Sequence, residues 1–288
     1  MKDRSLLIIN PISGGKNQSY ENRLQAAINR YPGLDTIKTE YPGHAGKIAE
    51  HTLDKYDRYV VAGGDGTINE VATVIVNTDK RLAIIPRGSA NGLAFHHKIP
   101  FDLDPAFKTA LGASFRKIDV IACENRFIVN CGGVGFDGYV NKLFNTTKAR
   151  GLWSYARLIF SEFMKFKEFP FELEIDGKKE TGKAFVIVLA NTKQYGHDFL
   201  FAPNASTEDG VMQLSLIKKP PFLSIPYLLY KVKKGRISEL KYFHERSGQK
   251  ILIKSASQLV HFDGEQFSSE NEGSMQLEVL PKALNLVC

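Results

Sequence analysis

The sequence predicts an α/β chain: a doubly wound parallel sheet over residues 1–112, followed by an antiparallel β domain over 113–280. Three observations carry that expectation. Strand, polar turn and helix recur four times before residue 98, which is the pattern of an open parallel sheet with helices on both faces. After about residue 115 the period shortens to alternating segments, as in antiparallel sheets. Within the first part the stretch Arg58-Tyr-Val-Val-Ala-Gly-Gly-Asp-Gly-Thr-Ile-Asn-Glu-Val71 packs three glycines around one acid.

That stretch organises the chain. Tyr59 to Ala62 read as a buried parallel strand, β-branched and aromatic. Gly63, Gly64 and Gly66 are too many for the interior of a strand or a helix. Thr67-Ile-Asn-Glu70 has the spacing of a capping box, so a helix is expected to start at Thr67. Strand, glycine turn and helix N-terminus together aim backbone N–H groups at one point, where an anion can sit. Asp65 inside the turn would repel a bare phosphate, which makes sense if Mg²⁺ lies between them. A tight turn with a solvated acid is the plainer alternative, but three glycines are more than such a turn needs.

Taken in order, Ser5 to Ile9 form the first strand, ending in Asn10-Pro-Ile-Ser-Gly-Gly-Lys16 before a helix near 18–30. The glycine spacing is not that of a Walker loop. A second strand near 35–40 runs into Thr39-Glu-Tyr-Pro-Gly-His-Ala45 and a helix to about Lys55. After the glycine turn, Leu82 to Ile85 form the fourth strand, ending in Pro86-Arg-Gly-Ser-Ala-Asn-Gly-Leu-Ala94. In such sheets the ligand sits outside the carboxyl ends of the strands, where all four turns fall.

The later strands are expected at Arg126–Cys131, Phe171–Ile175, Ala184–Leu189, Val211–Ile217, Lys250–Ile253 and Met275–Val279. Two helices interrupt them. Residues 151–169 place Leu152, Tyr155, Ile159, Phe163 and Phe166 on one face, suited to packing on the β core. Phe222–Lys234 has an apolar front broken by Pro226 and a basic tail, suited to covering a core or to facing a membrane. Residues 281–288 can return to the first domain.

Composition bounds the function. Hydrophobic content of 43% and charged content of 24% are those of a soluble globular protein, and 288 residues suffice for two cores. Cys123, Cys131 and Cys288 make no metal-ligand spacing; an odd count with no secretory pattern points to a reducing cytoplasm. No apolar run approaches the 18 residues of a spanning helix. The net charge of +7 is uneven: residues 142–167 carry +5, residues 218–236 carry +6, and the remainder therefore carries −4. Such a bias suits an anionic surface, and without a recognisable nucleic-acid module it favours a peripheral membrane over nucleic acid.

Asn10-Pro-x-Ser-Gly, Gly63-Gly-Asp-Gly-Thr67, Pro86-x-Gly-Ser-x-Asn91 and Asp263-Gly-Glu265 occur in the order seen in the diacylglycerol kinase catalytic-domain family, and the chain resembles that family over nearly its whole length. Weaker echoes are Gly43-His-Ala45, Gly135-Phe-Asp137 and Ala202-Pro-x-Ala205 with Asp209-Gly210. The resemblance implies a nucleotide domain, a β-sandwich domain and an active site in the cleft between them. It implies ATP as donor, a lipid hydroxyl as acceptor and Mg²⁺ as cofactor. Carried over by position, Asn10, Ser13, Lys16, Thr39, Gly63, Gly64, Gly66, Thr67, Arg87, Gly88, Ser89, Asn91 and Glu265 would surround the nucleotide. Asp263 and Asp65 are the candidate catalytic acids, Asp263 the favoured base, and Asp65 and Asp209 the candidate metal ligands. Lys16 and Arg87 could neutralise phosphate or be solvated.

Two departures stand out. Many bacterial relatives carry a second acid where this chain has Gly92, although sphingosine kinases lack it too, and the region of Tyr195-Gly196-His197 lacks the usual glycines. The rivals are an NAD kinase-like enzyme, against which the fourth turn speaks, and a non-catalytic lipid- or nucleotide-binding protein, against which Asp65 and Asp263 speak. The oligomeric state is left open, a homodimer being one option.

Overall fold

The structure is a computed structural model; it describes residues 4–15, 18–88, 90–146, 157, 160–194, 199–257, 259–267 and 273–288, with the side chains of 144–146 excepted. The chain divides into two compact units, Met1–Val120 with Leu280–Cys288, and Ile121–Val279.

The first unit runs β1 (Ser5–Ile9), α1 (Gln18–Ile28), β2 (Leu34–Lys38), α2 (His44–His51), β3 (Arg58–Gly63), α3 (Asp65–Ile75), β4 (Arg81–Pro86), α4 (Gly92–His96), α5 (Leu103–Ala110) and β5 (Phe115–Cys123), the last crossing into the second unit. Its sheet is parallel in the order β2-β1-β3-β4. Residues Asn285 and Leu286 of the final strand pair with β4 in parallel. Alternation sorts the side chains by face. Leu7, Ile9, Val60, Ala62, Ala83 and Ile85 pack with Leu24 of α1 and Phe107 of α5. Tyr59, on the opposite face, donates its hydroxyl to the Ala49 carbonyl of α2 at 3.2 Å. Helices thus lie on both faces, and because β1 and β3 are buried along their whole length they read as unbroken apolar runs.

The second unit contains β6 (Arg126–Ile128), β7 (Cys131–Gly135), α6 (Phe136–Thr146), β8 (Phe169–Ile175), β9 (Lys178–Ala184), β10 (Val186–Ala190), β11 (Met212–Ile217), α7 (Ile225–Lys233), β12 (Phe243–Gly248), β13 (Lys250–Ser255), β14 (Val260–Phe262), β15 (Glu265–Phe267) and most of β16 (Ser274–Val287). Two antiparallel groupings make a sandwich: β16-β13-β8-β9, and β12-β11-β10-β7-β14-β15. One apolar core joins their inner faces, among it Phe171, Leu173, Ile187, Leu214, Ile253 and Leu277.

Three local expectations are corrected. Arg126–Cys131 is not one strand: β6 pairs with β5 across the turn at Glu124, whereas Cys131 opens β7. The amides of residues 129–131 leave the first ladder because a buried carboxylate claims them, as described below. Pro226 does not break its helix; it lies in the first turn of α7, where its missing N–H is tolerated, after a 3₁₀ turn at Phe222–Ser224. Thr67 does not begin a helix, since α3 starts at Asp65. Of the face read over 151–169, Leu152, Tyr155 and Ile159 lie outside the described residues, while Phe163 and Phe166 pack around Phe136 and Phe185.

Candidate active site

In the first unit the turns after β1, β3 and β4 converge. The approach of the last two is so close that only glycine fits: a Cβ on Gly88 would lie 2.5 Å from the Gly64 Cα. Asn91, held at φ 52°, closes the β4 turn with its own side chain. Its Nδ2 donates to the Gly88 carbonyl at 2.6 Å, and its Oδ1 accepts from the Gly88 amide at 2.9 Å. The amides of Asn91 and Gly92 then donate to the two oxygens of Asp65, at 2.8 and 2.9 Å. Burial pushes the Asp65 carboxyl above its usual range, against the opposing pull of these amides. Gly92, the departure noted in the sequence, therefore serves the acid with its backbone.

Asn10 ties the first turn to this one. Its Nδ2 donates to the Thr67 hydroxyl at 2.8 Å and its Oδ1 accepts from the Ile12 amide at 3.1 Å. Thr67 is buried inside α3, and Gly64, which precedes the helix, makes no side-chain cap. Glu70 does not reach back to its own helix either. It accepts from the amides of Gly43, Ala45 and Gly46, capping the start of α2 with the negative charge that end favours. The capping-box expectation thus fails, and its failure leaves the positive end of α3 uncapped by any side chain of that box. Thr39 is buried, and its amide donates to the Ile9 carbonyl at the end of β2.

Arg87 is not solvated. Its buried guanidinium pairs with Glu21, donates to the Ser13 carbonyl at 2.8 Å and to the Pro11 carbonyl at 3.3 Å, and covers the Tyr20 ring. It fixes the first turn to the fourth. Lys16 and Ser89 lie outside the described residues.

In the second unit the turn Asp263-Gly264 joins β14 to β15, with Asp263 at φ 48°. Asp263 is buried, and its two oxygens accept from the amides of Val129 at 2.9 Å, Asn130 at 3.0 Å and Cys131 at 2.9 Å. An ionised carboxylate offers about four lone-pair sites, so three of them are taken by backbone. Glu265 is half-exposed, with Arg126 at 3.7 Å. Beside them the buried His261 bonds through Nε2 to Asp137 Oδ2 at 2.7 Å. The Gly135-Phe-Asp137 motif alone does not indicate this partner; the histidine two residues before Asp263 is the signal the sequence offers. Asp209 is exposed in the turn before β11, one oxygen accepting from the Val211 amide at 3.2 Å.

The diacylglycerol kinase catalytic domain profile matches residues 4–123, and that of the YegS C-terminal NAD kinase β-sandwich-like domain matches residues 131–288. The chain belongs to the family that joins a diacylglycerol kinase catalytic domain to the YegS C-terminal domain. Among its curated relatives, a "Probable lipid kinase YegS-like" protein of Shewanella frigidimarina is 27% identical over 83% of this chain and 79% of its own. A "Diacylglycerol kinase" of Staphylococcus aureus is 26% identical over 92% of this chain and 87% of its own. A crystal structure of a diacylglycerol kinase from Bacillus anthracis superposes with a TM-score of 0.78 at 22% identity, covering 99% of this chain and 96% of that one, which establishes the fold. Membership assigns a lipid kinase activity: ATP-dependent phosphoryl transfer to an alcohol.

A cation suits the first-unit site. Among the described residues no three His, Cys, Asp or Glu side chains form a closed metal cage. Mg²⁺ is ordinarily held by one or two carboxylates together with substrate phosphates and water. Asp65, the first residue of α3, would offer that single carboxylate.

Proposed function

We propose that the chain phosphorylates a hydroxyl on a diacylglycerol-like or sphingoid-like lipid, with Mg²⁺–ATP as donor. The observation that carries this is the start of α3: a glycine turn at the end of β3, with no side-chain cap, walled by Gly88 and held open by the Asn10–Thr67 bond. Such a turn receives phosphate oxygens on backbone N–H groups. Arg87 and Glu21 keep the Asn10–Gly14 turn in place rather than meeting phosphate themselves. The cation, held by Asp65, would neutralise charge on the transferring phosphoryl group. Asp209 is proposed as a separate, structural metal ligand.

The acceptor proton calls for a carboxylate that can be approached. Asp65 is reserved for the cation and Asp263 has three of its lone-pair sites on backbone amides, so we assign Asp263 to shaping the 129–131 segment and the half-exposed Glu265 to taking the proton. The description of residues 131–288 as NAD kinase-like keeps one second acceptor in view, NAD itself.

Titration calorimetry with ATP and Mg²⁺ tests the division of labour. Gly64→Val should weaken ATP binding at least tenfold, because its side chain would meet Gly88. Glu265→Gln should bind ATP within a few fold of the parent while losing transfer. A Gly64→Val protein that binds ATP normally would remove the phosphate role of the turn.

Among the described residues no helix is long and apolar enough to cross a membrane. The basic segments of the second unit favour peripheral attachment to anionic lipid.

A further inference from the structure

The helix α7 is apolar on both sides. Leu228 and Val232 pack inward with Ile217, Ile237 and Phe243, and Ile225, at the same helical spacing, packs inward with Phe136, Phe163 and Phe185. The side facing away carries Leu223, Tyr227 and Tyr230, again at spacings of four and three, and all are exposed. A solvated helix would be polar there. Leu223 is 90% exposed, on the 3₁₀ turn that leads into α7, so it contributes nothing to the core.

This face does not stand alone. Phe222 meets Phe160 at 5.9 Å and Phe163 at 6.0 Å, which joins it to a second exposed pair, Phe160 and Met164. An open groove of about 570 Å³ between Met164 and Phe222 continues the surface and has Lys167 and Lys219 on its walls. The same two segments carry the exposed cations Lys167, Lys218, Lys233 and Lys234, besides Lys165 and Arg236, which are ion-paired. The acids nearby are engaged: Glu162 bonds Lys165 and the Tyr139 hydroxyl, Glu168 accepts the Lys219 amide, and Glu239 bonds Lys231 and Arg236. Aromatic and aliphatic tips ringed by lysine are what an interfacial element presents to anionic headgroups and the acyl boundary beneath them.

We propose that Leu223, Met164, Phe222, Tyr227 and Tyr230 form one surface that inserts into the headgroup layer of an anionic bilayer, with Lys218 and Lys234 on lipid phosphates. The surface deepens the reading above, in which the acceptor is a bilayer lipid, but vesicle binding reports on it whether or not transfer occurs.

Co-sedimentation with vesicles of phosphatidylglycerol and phosphatidylcholine, against phosphatidylcholine alone, provides the test. The parent should bind the anionic vesicles and be released by salt as the Debye length shrinks. Leu223→Glu, at a position too exposed to affect folding, should lower the partition coefficient at least tenfold. It should also lower transfer to acceptor lipid in vesicles while leaving transfer to a monomeric short-chain acceptor within a few fold. Lys178→Glu, at the exposed start of β9 in the same unit, removes more positive charge and should change binding less than threefold. Equal losses in the two variants would overturn the proposal, since net charge alone would then account for binding. Vesicle binding by Leu223→Glu at the parent level would also overturn it. So would a Leu223→Glu protein whose only change is dissociation of a self-associated parent, which would make the surface an interface between copies.

Discussion

Asp65 shows how one residue joins structure to chemistry. Its two oxygens stitch the β3 turn to the start of α4, so a neutral substitute loses more than a charge. In Asp65→Asn one oxygen becomes an NH₂ group facing an amide donor, and leaving that donor unsatisfied costs about 1–3 kcal/mol of stability. Loss of the charge that would hold the cation should cost roughly a hundredfold or more in kcat. Denaturant melts and turnover numbers measured on the same preparation check both effects; a stable Asp65→Asn enzyme with near-normal turnover contradicts the assignment. Asp263→Asn should be the more damaging to folding, because three amides lose a shared charged acceptor, whereas Glu265→Gln should melt within about 0.5 kcal/mol of the parent. Asp65 stands out in the sequence because three glycines crowd one acid, whereas Asp263-Gly-Glu265 taken alone is an ordinary turn and gains weight only from the other motifs. Their hydrogen-bond partners could not be read there, since Asn91 and Val129 are placed only by tertiary contact.

At the scale of elements, the capping box at Thr67–Glu70 has the right spacing and the wrong partner. Glu70 is offered both its own helix start and that of α2, and packing of the two helices decides for α2. Local pattern cannot arbitrate between two equivalent sets of amides. Glu70→Gln keeps one acceptor oxygen but loses the charge at the α2 amino end, for an expected cost of about 0.5–2 kcal/mol in urea unfolding. His97, just past the end of α4, supplies a pH signature. Burial holds the His97 imidazole down at about 3, below its ordinary 6.5. The unfolded chain therefore binds the proton first, so this contribution is complete above pH 6.5 and is lost as pH falls toward 3. His97→Gln should flatten stability across that interval, removing up to a few kcal/mol of its slope. An unchanged pH profile for that variant would remove the effect. The strands β1, β3 and β4, by contrast, were plain from sequence, because strands buried on both faces carry apolar runs, whereas the edge strand β2 is mostly exposed and has none.

For the whole molecule, the change of period after residue 115 announced the antiparallel unit, yet the assignment of its strands to two sheets was not legible. The split at residues 129–131 depends on Asp263, more than 130 positions away. Nor does periodicity reveal that α7 is apolar outward as well as inward, since a helix hydrophobic all round reads the same as a buried one. The account of function rests on transfer of phosphate to lipid, and incubation with ATP labelled in the γ-phosphate measures that directly. Acceptors should include diacylglycerol, a sphingoid base, ceramide and NAD, with organic extraction of the product. Label is expected in the lipid phase with at least one hydroxylated lipid, dependent on Mg²⁺ and absent with Asp65→Asn. Label appearing in NAD instead, or in no lipid while ATP is bound, would contradict the account.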